Sequence, residues 1–407
     1  MEITEELLRR LPKSDLHLHL DGSLRLPTLI ELAGERDVEL PSNTVEGLRE
    51  LVFKDSYASL EEYLAGFAYT CAVMTDPESL ERTAFELAED NYREGVRYIE
   101  VRFAPQLHAG GGMELPDVFS AVNRGLEAAR RRFNARPEVE SGNDVRFEYG
   151  IIACSMRFFA PEFSSYFQRF MEAHTYTDLD TVFGLASLEL VGAALDARDR
   201  LGIPVVGVDL AGAEAGHPPA HHREAYLKAQ RGFLKKTVHA GEAYGPESIF
   251  GAITELNADR IGHGTSLFNA DAVSDPSIDD PEGYVEDLAQ YIADRRITLE
   301  VCLTSNMQTT PSIGTLARHP LGKMIDHRLS VVICTDNRTV SHTTVTRELH
   351  RAVDTFDLPL PLLKNLVVYG FKRSFFPGPY QEKRRYVRQC MDRFEAVVAE
   401  MGGGTGS

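Results

Sequence analysis

The sequence lacks any Cys-x-x-Cys pair. Its five cysteines, Cys71, Cys154, Cys302, Cys334 and Cys390, are odd in number and widely scattered. That argues against both a disulfide framework and a cysteine-ligated zinc knuckle. Four of the five sit in apolar or strand-like surroundings and are expected in the core. Tryptophan is absent altogether, which excludes nothing. Long apolar runs are missing too, since no stretch approaches the ~18 residues of a membrane span. The N-terminal MEITEELLRRLPKSD is charged and amphipathic and lacks the apolar core of a signal peptide. A cytoplasmic protein without a membrane partner is expected. Basic residues are also in short supply, with 43 Lys and Arg against 61 Asp and Glu and a net charge of −18. Such a field repels polyanions, so no nucleic-acid partner is expected, and a multiply phosphorylated substrate would need a local basic pocket. A neutral small molecule fits better.

What is present is an ordinary globular composition, 43% hydrophobic and 26% charged over 407 residues. Short apolar runs alternate with longer helical patterns. The predicted strands are Ser14–Leu20, Arg97–Phe103, Arg146–Cys154, Pro204–Asp209, Thr237–Ala240, Arg260–Gly262, Ile297–Cys302 and Leu329–Cys334. Runs such as VVGVDL and VVICTD are nearly continuous in Val and Ile, as expected of parallel strands buried on both faces. Between them, Asp76-Pro77 and Asp280-Pro281 read as helix starts. Leu80, Ala84, Leu87, Ala88 and Tyr92 then share one helical face, as do Val285, Leu288 and Ile292. Eight strands separated by helices predict an α/β fold, a (β/α)₈ TIM-type barrel. An open doubly wound sheet would carry a Gly-rich phosphate turn after its first strand, where this chain has HLHLDGS. Residues 1–401 are expected to form one catalytic barrel domain, with residues 40–75 a helical insertion after the first strand, placed to act as a lid. Residues 402–407 are expected to be a disordered tail.

In SDLHLHLDGS, His17 and His19 are two apart, so on a strand both imidazoles face the same side and together can bind one borderline metal. TVHAGEAYG places His239 at the end of a short strand, with Glu242 three residues on. RIGHGTS places His263 at the next strand end, and VVICTDNR ends the eighth strand with Asp336. Barrel enzymes keep their catalytic groups at these C-terminal strand ends. Taken singly, His263 could be a turn residue and Asp336 a helix cap.

With HLHLDGS, DLAGAE, TVHAGE, RIGHG and CTDN in this order, the sequence resembles the adenosine deaminase family of the amidohydrolase barrels from about Leu11 to Phe376. The resemblance implies that His17, His19, His239 and Asp336 ligate one zinc ion. It makes Glu242 and His263 the catalytic pair and Gly212 a backbone contact to the purine, and it sets Asp21, with His19, at the ribose 5′-hydroxyl. The chemistry agrees with this. Zinc lowers the pKa of bound water towards ~7 and so supplies a hydroxide nucleophile. Asp336 can hold the water's proton, and His263, if off the metal, can position the hydroxide. A protonated Glu242 can donate to ring N1, and a dry pocket raises a carboxyl pKa in the direction that role needs. A binuclear relative would need a bridging Lys or Glu at the fourth strand, where this chain has Asp209-Leu210-Ala211, so one metal is expected. The other zinc deaminases, with His-x-Glu and Pro-Cys-x-x-Cys, are excluded.

The implied reaction converts adenosine, and 2′-deoxyadenosine, to inosine and ammonia. The alternatives are another 6-aminopurine compound (adenine, aminodeoxyfutalosine or an N6-modified nucleotide) or an inactive nucleoside-binding barrel. Asn337 stands where the family commonly has a second Asp. Its NH₂ could donate to purine N7 without a pKa shift, which leaves the choice of purine open, as the sequence leaves the oligomeric state open. Leu60, Tyr63, Leu64 and Phe67 are placed by the resemblance on a helix beside the ribose. Arg102 and Arg157 are expected to form ion pairs behind the site. Glu214 either orients a catalytic group or is a loop carboxylate. His217, His221 and His222 read as solvated loop histidines.

Overall fold

The computed structural model describes residues 2–402. Eight parallel strands pair in sequence order: β1 (Lys13–His19), β2 (Val96–Phe103), β3 (Glu148–Met156), β4 (Val205–Ala211), β5 (Lys235–Ala240), β6 (Arg260–His263), β7 (Thr298–Val301) and β8 (Ser330–Ile333). The ring closes at its C-terminal end. There the His19 N–H donates to the Asp336 carbonyl and the Asp336 N–H to the His17 carbonyl, both at 2.8 Å. Each strand is buried along nearly its whole length, which explains the continuous apolar runs. All eight expected strands are present, with ends shifted by up to two residues. The barrel with helices outside it is therefore as the sequence predicts.

The helix expected after Asp76 runs over Pro77–Arg93, and Asp76 and Ser79 cap it reciprocally. Its face of Leu80, Ala84, Leu87, Ala88 and Tyr92 is buried. Asp280 likewise caps Pro281–Arg295, which buries Val285, Leu288 and Ile292. Between β1 and that first helix, the insertion forms three short helices, Val45–Leu51, Leu60–Ala65 and Phe67–Val73. The single stripe read from Leu60 to Phe67 is divided at Gly66, which ends one helix and starts the next. Of the expected tail, Gly402 instead ends the last helix, Tyr380–Gly402, and residues 403–407 lie outside the described residues. Among the described residues, no helix is long and apolar enough to cross a membrane.

Candidate active site

The period of two in β1 turns His17 and His19 into the barrel mouth, and β5 and β8 bring His239 and Asp336 to meet them. The Nε2 atoms of His17 and His239 lie 3.1 Å apart, and those of His19 and His239 lie 3.2 Å apart. Asp336 Oδ1 is 3.4 Å from the Nε2 of both His17 and His19. All four residues are buried.

The far sides of the rings decide what faces inward. His17 Nδ1 is 2.8 Å from the Glu300 carboxylate, and His239 Nδ1 is 3.0 Å from that of Asp209. A carboxylate can only accept, so each Nδ1 carries the proton and each Nε2 points a lone pair at the others. Two such lone pairs and a carboxylate oxygen at this spacing repel one another unless a cation sits between them, and His19 Nε2 adjoins the same point. Burial pushes the His239 pKa down to about 3, which keeps this imidazole neutral. A set of nitrogens plus one carboxylate suits a borderline divalent ion. These four residues could hold a metal.

The carboxylates behind the ligands are held by arginine. Arg102 from β2 pairs with both Asp209 and Glu300 at 2.8 Å, and Arg260 pairs with Glu300 at 2.6 Å. Burial alone would push the Glu300 carboxyl up, but Arg102 and Arg260 hold it well below its usual range. The expected ion pairing of Arg102 is thus present. Arg157 differs, because its guanidinium donates to the backbone carbonyls of His217 and His239, each at 2.6 Å, and so ties the loop after β4 to the end of β5.

Glu242 and His263 face each other across the site, with Glu242 Oε2 3.7 Å from His263 Nε2. Burial raises the Glu242 pKa; His263 opposes that, and the nearby Asp336 charge adds to it. His263 and Asp336 both sit in the left-handed region, at φ +64° and +63°. In that conformation the chain turns sharply at the end of β6 and just past β8. Glu214 resolves to an orienting role. Its carboxylate accepts from the backbone N–H groups of Gly241, Glu242 and Ala243 at 2.7, 3.0 and 2.8 Å, and so fixes the turn that presents Glu242.

A cavity of about 810 Å³ opens from this cluster. Gly212, Asp21 and Asn337 line it with His19, His239, Glu242, His263 and Asp336. His17 lies just behind that lining, in the buried four-residue cluster. Gly212 has φ +101°, a conformation a side chain would strain. The opposite wall is apolar, with Leu60, Leu64, Phe67, Leu107, Met156 and Phe158. Tyr63, also from the insertion, is buried, and its hydroxyl lies 2.8 Å from both Ser341 Oγ and Asn337 Nδ2. One of the two Asn337 amide hydrogens is therefore engaged, which leaves one for a ligand.

At the distal end, Asp21, Cys71 and His108 place their polar atoms within 4.8 Å of one another. His108 Nδ1 donates to the Met74 carbonyl at 3.1 Å, so its Nε2 is an acceptor. That atom and Asp21 Oδ1 are buried without a hydrogen-bond partner. Burial, with Asp21 nearby, pushes the Cys71 thiol well up, and a protonated thiol does not ligate a metal. The trio is a patch that calls for hydrogen-bond donors.

The loop histidines do not gather at a metal site. His222 is buried and hydrogen-bonds Ser187 at 2.8 Å, contrary to its reading as solvated, His217 stacks on Phe158, and His221 faces Asp180. Glu300, Asp209, Asn306 and His319 escaped the sequence reading. For Glu300 a signal existed, since a charged residue inside the apolar run ITLEVCL must find a buried partner.

The family model for adenosine deaminase matches residues 12–201 and 186–392. The chain belongs to the adenosine deaminase family. As such it is a hydrolytic deaminase. The adenosine deaminase of Mycobacterium bovis is 36% identical over 377 residues, 92% of this chain and 92% of its own length. Among solved structures, the deaminase resembles an Arabidopsis N6-mAMP deaminase, with a TM-score of 0.71 and 26% identity over 95% of this chain and 99% of that one. An adenine deaminase from Arthrobacter aurescens shares the fold, with a TM-score of 0.71 and 23% identity over 95% of this chain and 99% of that one.

Proposed function

We propose that this deaminase is a zinc enzyme, one ion per chain, that hydrolyses adenosine and 2′-deoxyadenosine to inosine and ammonia. The observation that carries the reading is the buried Glu242 carboxyl, with its pKa raised, facing His263 beside four converging metal donors. His17, His19, His239 and Asp336 would hold the zinc ion, which would supply a hydroxide nucleophile and a fixed positive charge at neutral pH. Glu242, in its acid form, donates to purine N1 and draws electron density from C6. His263 hydrogen-bonds the attacking oxygen as it closes on C6. The C6–N bond then breaks: the amine takes the water's proton from Asp336 and leaves as ammonia, and the proton of the C6 hydroxyl restores the acid form of Glu242. The Gly212 backbone and the free Asn337 N–H hold the purine edge. At the other end, His19 and Asp21 meet the ribose 5′-hydroxyl. We further propose that residues 1–401 act as one catalytic domain in the cytoplasm, with the insertion over residues 40–75 as its lid.

The distal patch supports a nucleoside over a nucleotide. A hydroxyl brings a donor to the unpartnered acceptors of Asp21 and His108. A 5′-phosphate would bring further acceptors and a charge of the same sign as Asp21, against a chain that is already acidic. One observation favours a second reading. The cavity, at about 810 Å³, lies towards the upper end of small-molecule sites, ~300–1,000 Å³, and has room for a nucleoside enlarged at the 5′ position.

A substrate panel tests the assignment by following the fall in absorbance near the adenine maximum. It comprises adenosine, 2′-deoxyadenosine, adenine, N6-methyl-AMP and a 5′-enlarged nucleoside. Adenosine and 2′-deoxyadenosine should turn over fastest. No turnover of adenosine, with fast turnover of another member, overturns the substrate choice.

A further inference from the structure

The polarity of the hydrogen bonds behind His263 can be read from fixed ends. The Leu321 backbone N–H, which can only donate, points at His319 Nδ1 at 3.0 Å. His319 is buried, and burial pushes its pKa down to about 3, so the ring is neutral and carries its one proton on Nε2. That nitrogen is 3.2 Å from Asn306 Oδ1. The Cys302 backbone N–H reaches the same oxygen at 3.3 Å. Two donors converging on one atom identify it as the amide oxygen, because the flipped amide would set N–H against N–H twice. Asn306 Nδ2 is then the atom that faces His263 Nδ1 at 2.9 Å. An amide nitrogen only donates, so His263 Nδ1 accepts and the proton of the neutral ring sits on Nε2, on the Glu242 side.

We infer that His319 and Asn306 are positioning residues that lock His263 in the Nε2–H tautomer, so that it meets the attacking oxygen as a hydrogen-bond donor. Asn306 and His319 are both buried, and in this structure neither lines the cavity. They act through His263. A neutral His263 could offer a lone pair at Nε2 only by moving its proton to Nδ1, against the Asn306 amide. The relay therefore separates two roles that a histidine can otherwise exchange. His263 holds the oxygen, and the carboxylates handle protons.

This inference rests on His263 acting at the site as proposed above, so its first test uses no substrate. In protein labelled with ¹⁵N-histidine and loaded with zinc, two-bond ¹H–¹⁵N correlations report the tautomer of each ring, and H263Q assigns the resonance. Wild type should show His263 protonated on Nε2 and unprotonated on Nδ1. A protonated Nδ1 in wild type overturns the proposal, whichever purine is the substrate.

The second test reverses the relay. Asn306→Asp offers a carboxylate, which accepts from Nδ1–H and should move the His263 proton to Nδ1. With zinc content retained, kcat should fall roughly 10²–10⁴-fold, the span of a misdirected acid–base group with the ~10⁴ loss of a wrong tautomer elsewhere as its upper end, while KM changes little. His319→Gln, which keeps an N–H donor, should retain most of the activity, whereas His319→Phe should lower kcat several-fold. An N306D protein that holds zinc, shows the reversed tautomer and keeps wild-type kcat overturns the functional part of the proposal. If N306D does not fold, the wild-type spectrum still decides the tautomer and the two His319 variants decide the function.

Discussion

The two walls of the cavity are built by different means. One wall is formed by the ends of β1, β5, β6 and β8, and partners behind it fix the direction of its main reacting groups. His17 leans on Glu300, His239 on Asp209, and the Glu242 turn on Glu214. The facing wall comes largely from the insertion and the loops after β2 and β3. It is apolar over most of its area, with two short helices joined at Gly66, and Tyr63 and His108 are buried polar side chains on it. Reaction chemistry needs atoms held to within a fraction of an ångström, and rigid strand ends supply that. Recognition of a ring and a sugar needs area, which loosely packed side chains can provide. The first wall should therefore govern kcat and the second KM.

Substitutions can break that division. The largest effect is expected from His239→Ala, which removes a metal donor and leaves Asp209 with Arg102 as its remaining charged partner. Zinc content by atomic absorption should collapse and kcat should fall by at least ~10⁴-fold, since the metal's share of the barrier is several kcal/mol. Glu242→Gln should retain zinc and lower kcat by roughly 10³-fold, within the range of a lost general acid. The same residue fixes the pH dependence. Glu242 works in its acid form and burial raises its pKa, so kcat/KM should persist above the usual Glu range and fall as pH rises through the raised value. An alkaline limb that survived unchanged in residual E242Q turnover would assign the titration to another group.

Next in size is Glu214→Gln. It trades a carboxylate that serves three backbone N–H groups for an amide with a single acceptor oxygen. A kcat loss of ~10–100-fold at unchanged zinc content is expected, typical of groups that orient a functional residue. Smallest should be Leu64→Ala on the apolar wall. The loss of about 1–2 kcal/mol of buried contact should raise KM roughly tenfold and leave kcat within about twofold. If L64A instead lowered kcat and spared KM, the insertion would belong to the catalytic wall and the comparison would fail.

The first wall was largely legible in the sequence. Period-two histidines, apolar strands and polar residues at strand ends are local patterns, and the family motifs carried Glu242, His263 and Asp336 with them. What holds those residues was mostly hidden. Glu300 meets His17 across 283 positions of sequence, and no local pattern encodes that pairing. The direction of the Asn306 amide depends on two donors that only the folded chain brings to one oxygen. The second wall was half legible, because Leu60, Tyr63, Leu64 and Phe67 look like any amphipathic stripe until a cavity lies beside them. The same limit explains Arg157, where a guanidinium at a strand end promised an ion pair and found two carbonyls.

Arg102 has a consequence for how such a site can change over generations. Its guanidinium serves the supports of two different metal ligands at once, Asp209 behind His239 and Glu300 behind His17. Replacing it alone leaves two carboxylates buried with one fewer cation, a far heavier burden than the sum of its contacts suggests. Replacing either carboxylate alone leaves the guanidinium short of a partner. The three are expected to be strongly non-additive, with a combined change tolerated better than its worst single step. A lineage can therefore drift freely over the surface and along the apolar wall, while any route that re-tools the metal end must cross a valley of inactive intermediates.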